Sequence, residues 1–380
     1  MSLEEVTGEQ PGVRATLTAA LRTGPSHAYL FVGPSGAGKA AAARAFVAEL
    51  LADGAADPGD ARRRVLADPS PHPDLAWLRP PGNQHLVEDV RRDVIAAVAY
   101  RPFEGERRAF VIERADAMAE ESQNALLKTL EEPADYAVLI LVTSQPSALL
   151  ETVRSRCQTI AFTALSPEAV AERLGAEDAP AGDGAAALEL RAVSRLAAGD
   201  LERARFLLGE GGRDLRRAAE EYVRSARVST LEGAPWRRLL EVASARGEQV
   251  GEAAREHLEA LAGQARDAGD KRAESRLRKE ADETAKRATR RGRTEALDAA
   301  LALVAAWLRD LAATADGAND LVLAADRAAE LTADAEGLDP RRARRAAEIV
   351  MDTRRRLTVN VSEELALEAL AFRLEVLLRA

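Results

Sequence analysis

The chain has 380 residues, a formal net charge of −9, and a composition that is 47% hydrophobic but only 4% aromatic. That length predicts two or three domains, and the shortage of aromatics predicts a core of Ala, Leu and Val in a largely helical protein. The acidic balance argues against a generic nucleic-acid coat protein, and one cysteine, Cys157, permits neither an intrachain disulfide nor a cysteine zinc site. Four scattered histidines give no metal-ligand spacing. Residues Met1 to Gln10 are acidic and polar, unlike a signal peptide, and no apolar run approaches the length of a membrane span. The expectation is a soluble, cytoplasmic protein without membrane contact.

Residues 1–163 alternate short apolar β-rich runs with helical stretches. The runs are Tyr29–Val32, Ala109–Ile112, Val138–Thr143 and Thr159–Phe162; the helices include Ala40–Leu51 and Glu120–Glu132. Such alternation predicts an α/β domain with a parallel sheet. The segment Ala52–Pro81, rich in Pro, Asp and Gly, is expected to be mostly loop.

The first run leads into Gly33-Pro34-Ser35-Gly36-Ala37-Gly38-Lys39-Ala40 and then an alanine-rich helix. This is the strand–loop–helix context of a P-loop, in which glycines turn backbone N–H groups toward phosphate oxygens and Lys39 reaches the β- and γ-phosphates. A Ser or Thr hydroxyl that ligates Mg²⁺ should follow the lysine. Ala40 offers no oxygen, a loss of roughly 1.5–3 kcal/mol if scaled as a hydrogen bond to a charged group. ATP or ADP binding is weakened but not forbidden, and hydrolysis, which needs an accurately placed metal, is more exposed.

A hydrolytic site also wants an apolar strand ending in Asp-Glu. Here Ala109–Ile112 ends in Glu113-Arg114-Ala115-Asp116. Glu113 could reach a metal with its longer side chain. Arg114 cannot act as a base, because its guanidinium stays protonated. Asp116 is expected to point elsewhere. The two losses, at Ala40 and Arg114, predict little intrinsic ATP hydrolysis.

Ser166-Pro167-Glu168 is a helix start, with a Ser cap and Pro in the first turn. Residues 164–208 read as a small helical bundle broken at Ala179–Gly184, and Gly209-Glu210-Gly211-Gly212 reads as a linker. Residues 213–380 read as all helix. Leu297, Leu301, Val304, Leu308 and Leu311 form one packed stripe, and Leu367, Leu370, Leu374 and Leu377 a second. Between Arg266 and Glu295, eleven basic and seven acidic residues predict a solvated helix with many i,i+4 pairs, or else a face for DNA or a partner.

Three motifs carry a family resemblance. Ser26-His27-Ala28-Tyr29-Leu30-Phe31 runs into the P-loop; Ser122-Gln123-Asn124-Ala125-Leu126-Leu127-Lys128-Thr129-Leu130-Glu131-Glu132-Pro133 follows the second strand; Ser155-Arg156-Cys157 follows the third. In this order they resemble the bacterial DNA polymerase III clamp loader, the AAA+ assembly that loads the sliding clamp in DNA replication. The resemblance implies α/β plus all-α architecture: an AAA+ P-loop domain with a parallel sheet (1–163), a small helical lid domain (164–210) and a C-terminal helical collar domain for oligomerisation (211–380). The segment Val359–Glu368 also resembles the end of the collar.

A degraded P-loop site together with a retained Ser-Arg-Cys resembles the delta-prime type of subunit. Partners implied are gamma/tau and delta subunits, the sliding clamp, and primed DNA through the assembled complex. The resemblance also implies that Arg156 acts in trans as an arginine finger on a neighbour's ATP, with Arg154 a nearby competitor. Cys157 would be a packing residue, and Thr143 would occupy a polar sensor position or merely cap its strand. Many relatives carry a four-cysteine zinc module near residues 52–75; Asp60–Leu66 stands there without cysteine, so no zinc is expected. The alternatives are an active AAA+ ATPase of the gamma/tau type, and a nucleic-acid-binding module with a vestigial P-loop that uses the basic stripe 271–293.

Overall fold

A computed structural model describes residues 2–67, 70–80, 84–178, 184–267, 269, 271–357 and 362–379. They form two compact units, Met1–Leu165 and Ser166–Ala380.

The first unit is built on five parallel strands: β1 (Ala28–Val32), β2 (Leu75–Leu78), β3 (Arg108–Ile112), β4 (Ala137–Thr143) and β5 (Gln158–Ala161), in the spatial order β2-β3-β4-β1-β5. Helices α1 (Leu3–Val6), α2 (Pro11–Thr23), α3 (Lys39–Ala52), α4 (Pro58–Leu66), α5 (Val87–Val90), α6 (Glu120–Glu131) and α7 (Glu151–Arg154) flank the strands. The sheet is covered on both faces, so its central strands read as unbroken apolar runs. Alternate side chains divide between two cores. Tyr29, Phe31, Val111 and Ile140 pack with Phe46 and Val47 of α3, while Leu30, Phe110, Ile112 and Leu139 pack with Leu126 of α6 and Val153 of α7.

The segment expected to be loop holds both α4 and β2. Asp57 caps α4 by accepting from the Asp60 amide at 3.0 Å, Pro58 occupies the first turn, and Ala61 and Val65 are buried. Polar contacts fasten this helix. Arg62 forks onto Glu49 at 2.9–3.1 Å, Arg64 bridges Asp60 and Glu104, and buried Arg44 donates to the Val65 carbonyl at 3.0 Å while lying 4.2 Å over the Trp77 ring. Among the described residues no group of three His, Cys, Asp or Glu is arranged to hold a metal ion.

The second unit is helical throughout its described residues: α8 (Pro167–Asp178), α9 (Gly184–Leu196), α10 (Leu201–Leu208), α11 (Glu210–Arg227), α12 (Trp236–Asp267), α13 (Lys271–Ala315), α14 (Ala328–Ala335), α15 (Pro340–Arg356) and α16 (Glu363–Leu378). The break expected at Ala179–Gly184 falls, except for Gly184, outside the described residues, as do Val359–Val361 of the expected collar end. The expected linker is no linker. Gly209 alone separates two helices, and 210–212 are the first turn of α11. Gly212 is needed there because a Cβ would lie 2.1 Å from the Phe206 carbonyl oxygen.

The stripe Leu297, Leu301, Val304, Leu308 and Leu311 is buried on α13. On α16, Leu367, Leu370 and Leu374 are buried, but Leu378 rather than Leu377 completes the row. Of the charged stretch 266–295, residues 266–267 end α12 and residues 271–295 belong to α13. The stretch carries ion pairs along and between the two helices, including Arg278–Glu274, Arg287–Glu283 and Arg255–Asp282. No helix among the described residues is long and apolar enough to cross a membrane.

Candidate functional site

The P-loop joins the C-terminal end of β1 to α3. Gly38, at φ 82°, turns the chain into the helix from the left-handed region. Gly33 has no room for a side chain, since a Cβ would lie 2.4 Å from the Phe162 carbonyl oxygen just after β5. Pro34 and Ser35 are exposed, Gly36 and Gly38 half-buried, and Ala37 buried. Lys39 is buried, and its ammonium donates to the carbonyls of Gly33 at 2.7 Å and Pro34 at 2.5 Å. The cation is therefore held within the curve of its own loop. Ala40 follows as the second residue of α3, half-buried and without a side-chain oxygen.

β4 lies between β1 and β3, so the ends of β3 and β4 flank the P-loop on one side. At the end of β3 the expected metal ligand is turned away. Glu113 accepts from the Trp77 indole at 2.5 Å and from Arg79 at 2.9 Å, both belonging to β2 or the residue following it. The β2 edge is on the far side of β3 from the P-loop, and this corrects the expectation that Glu113 could reach a metal. Behind it, His85 Nε2 donates to the Glu113 carbonyl at 2.7 Å. Burial holds the His85 imidazole below the usual histidine range.

Arg114 sits in the left-handed region at φ 49°. The turn it makes sends Asp116 toward β4, where its carboxylate accepts from the Thr143 hydroxyl at 2.5 Å and the Ser144 amide at 3.3 Å. Thr143 is level with Val32, the last residue before the P-loop. Asp116 is at the sheet end that carries the P-loop, with its carboxylate engaged by Thr143 and Ser144.

Arg156 lies at the other end of the sheet. It comes two residues before β5, whose Gln158 is level with Tyr29 at the start of β1, while Lys39 follows the end of β1. Four strand residues, roughly 13 Å at about 3.3 Å per residue, lie between those two ends. Arg156 is about one-third exposed, donates to the Thr152 carbonyl at 2.9 Å, and pairs with Glu131 at 2.7 Å. Arg154 is exposed. Cys157 packs against the α6/α7 core, where burial pushes its thiol up to about 12.

Residues 10–166 match the family model described as DNA polymerase III, delta subunit. This segment is thus similar to DNA polymerase III delta-type subunits. The delta' subunit of Bacillus subtilis is 34% identical over 185 residues, covering 47% of this chain and 55% of that protein. The delta' subunit of Pseudomonas aeruginosa is 34% identical over 218 residues, covering 55% and 64%. The gamma/tau subunit of Mycobacterium tuberculosis H37Rv is 34% identical over 170 residues, covering 44% and 29%. The chain thus spans little more than half to just under two thirds of the delta' proteins it matches.

The motif beginning at Ser122 has a structural task that the sequence did not disclose. Buried Gln123 donates to the carbonyls of Met118 and Ala148 and accepts from the Leu150 amide at 2.8 Å. It therefore fixes the entry to α7, the helix that leads to Arg156. The same motif supplies Glu131 at the other end of α6.

Proposed function

We propose that this chain is a delta-prime-like subunit of the DNA polymerase III clamp-loader complex, working in the cytoplasm. In this reading it assembles with gamma/tau and delta subunits, helps load the sliding clamp onto primed DNA, and hydrolyses little ATP itself. Its P-loop, Gly33 to Ala40, holds ATP or ADP weakly or not at all, and Arg156 completes the ATP site of a gamma/tau neighbour.

The observation that carries the reading is the separation of Arg156 from Lys39 by the length of the sheet. An arginine placed there does not serve its own P-loop and is available to another subunit. A fixed cation on a transferring phosphoryl group is worth about 10³–10⁵ in rate in related systems. The chain's own site supports the other half of the reading: Ala40 brings no oxygen, Arg114 no base, and Glu113 is engaged by Trp77 and Arg79.

Reconstitution with gamma/tau, delta, clamp and primed DNA tests it. Arg156→Ala is expected to leave assembly intact and depress the ATPase of the complex, whereas Lys39→Ala changes it little. Unchanged turnover in Arg156→Ala removes the trans finger from the reading.

A second reading, an active ATPase of the gamma/tau type, is favoured by one contact, the Asp116–Thr143 pair beside the P-loop. ATP turnover by the isolated chain that disappears in Lys39→Ala would select it.

A further inference from the structure

We infer that Glu131 is a positioning residue for Arg156, holding the guanidinium so that it faces a neighbouring subunit's phosphates in one orientation. The inference rests on the reading of Arg156 as a finger acting in trans. It begins from a stereochemical problem. A finger must be a cation at one point in space, yet an arginine has four rotatable side-chain bonds and, at a subunit surface, nothing of its own to stop it sweeping.

Here two contacts stop it. The Thr152 carbonyl accepts from one terminal nitrogen at 2.9 Å, and Glu131 Oε1 accepts from the other at 2.7 Å. A guanidinium has five N–H donors. These two contacts occupy one on each terminal nitrogen and leave a second hydrogen on both, so phosphate recognition does not require the carboxylate to let go.

Glu131 is itself anchored. It is the last residue of α6, the helix whose Gln123 ties down the entry to α7, so carboxylate and arginine are carried by two elements that α6 keeps in register. The Glu131 side chain is half exposed, as expected of a contact that orients a group at a surface rather than one that supports the core. A surface ion pair of this kind contributes little to stability, so its removal is separable from unfolding.

The experiment uses the reconstituted complex with gamma/tau, delta, clamp and primed DNA, and measures kcat and KM for ATP. Glu131→Ala is expected to lower kcat about tenfold, on the scale of one hydrogen bond to a charged group, with KM unchanged. Glu131→Lys, which repels the guanidinium, lowers it at least as far. Glu131→Gln, whose amide oxygen still accepts from Arg156, restores most of the rate. Arg156→Ala combined with Glu131→Ala is no slower than Arg156→Ala alone, because the two act as one unit. Thermal melting and complex assembly match the parent chain throughout. Unchanged or faster turnover in Glu131→Ala, while Arg156→Ala is slow, overturns the positioning role and leaves the finger standing. Unchanged turnover in Arg156→Ala overturns both.

Discussion

The Thr143 hydroxyl donates to the Asp116 carboxylate at 2.5 Å and in turn accepts from the Gln145 amide at 3.0 Å, so one buried hydroxyl joins the ends of β3 and β4 beside the P-loop. Removing it leaves the carboxylate with the Ser144 amide at 3.3 Å as its remaining hydrogen bond on that side. Thr143→Val, nearly equal in volume, is expected to cost about 1–3 kcal/mol of stability, the penalty for a buried polar group that loses its partner. Urea unfolding of the two proteins measures it. If the pair only braces the sheet, the ATPase of the reconstituted complex stays at the parent value. A variant as stable as the parent would show that the contact contributes nothing.

Burial holds the imidazoles of His72 and His85 below the usual histidine range; for His72 the nearby Arg64 adds to the effect. A depressed folded pKa means that the unfolded chain takes up protons first as pH falls. The stability contributed by the neutral rings is therefore complete above about pH 6.5, the unfolded value, and is lost as pH falls from there through the folded pKa. Each ring adds a slope of at most about 1.4 kcal/mol per pH unit. Denaturant unfolding between about pH 7.5 and 5.5 should show a shallower decline in His85→Gln than in the parent. Parallel curves would remove His85 from the account.

Much of the first unit was legible because its chemistry and its periodicity coincide. The strands of a sheet covered on both faces are apolar runs, and the P-loop glycines mark the turn after the first of them. What escaped lies in short or tertiary features. β2 is four residues long, only partly buried along most of its length, and follows a proline-rich stretch, so its apolar run Leu75–Leu78 did not stand out. α4 was hidden by Pro, Asp and Gly, although Asp57-Pro58 is a helix start that could have disclosed it. The directions taken by Glu113, toward β2, and Asp116, toward β4, were also not legible. Nothing in the sequence signals a left-handed backbone at an arginine, and it is Arg114 in that conformation that directs Asp116 to β4. The Glu131–Arg156 pair spans 25 residues and depends on two helices docking on one face of the sheet.

The thiol of Cys157, pushed up to about 12 by burial against the α6/α7 core, is predicted to be inert. Thiolate is the reactive form, and a free cysteine has a pKa near 8.5, so the thiolate population at about pH 8 falls by roughly a thousandfold. Iodoacetamide should label the native chain slowly and the urea-unfolded chain at the rate of a free cysteine. Equal rates before and after unfolding would contradict the burial of this sulfur. The adjacent Arg156 is about one-third exposed, so slow labelling would reflect the packing of the sulfur itself and not a covered surface around it.

In the second unit Arg216 donates to both carboxylate oxygens of Asp326 at 2.8 Å, with side chains only 5% and 12% exposed. The pair ties α11 to the turn before α14. Two buried charges satisfy one another, and removing one strands the other in a medium that solvates it poorly. Asp326→Ala is therefore expected to cost about 3–5 kcal/mol, well above the effect of breaking an exposed pair such as Arg345–Glu348. Replacing both members with apolar residues, Arg216→Met with Asp326→Leu, should recover much of the loss, because no charge then remains to be desolvated. Calorimetric melting of the parent chain and the two variants distinguishes the cases. If the double variant melts as low as Asp326→Ala, the cost comes from the lost hydrogen bonds between α11 and the turn before α14 rather than from an isolated buried charge.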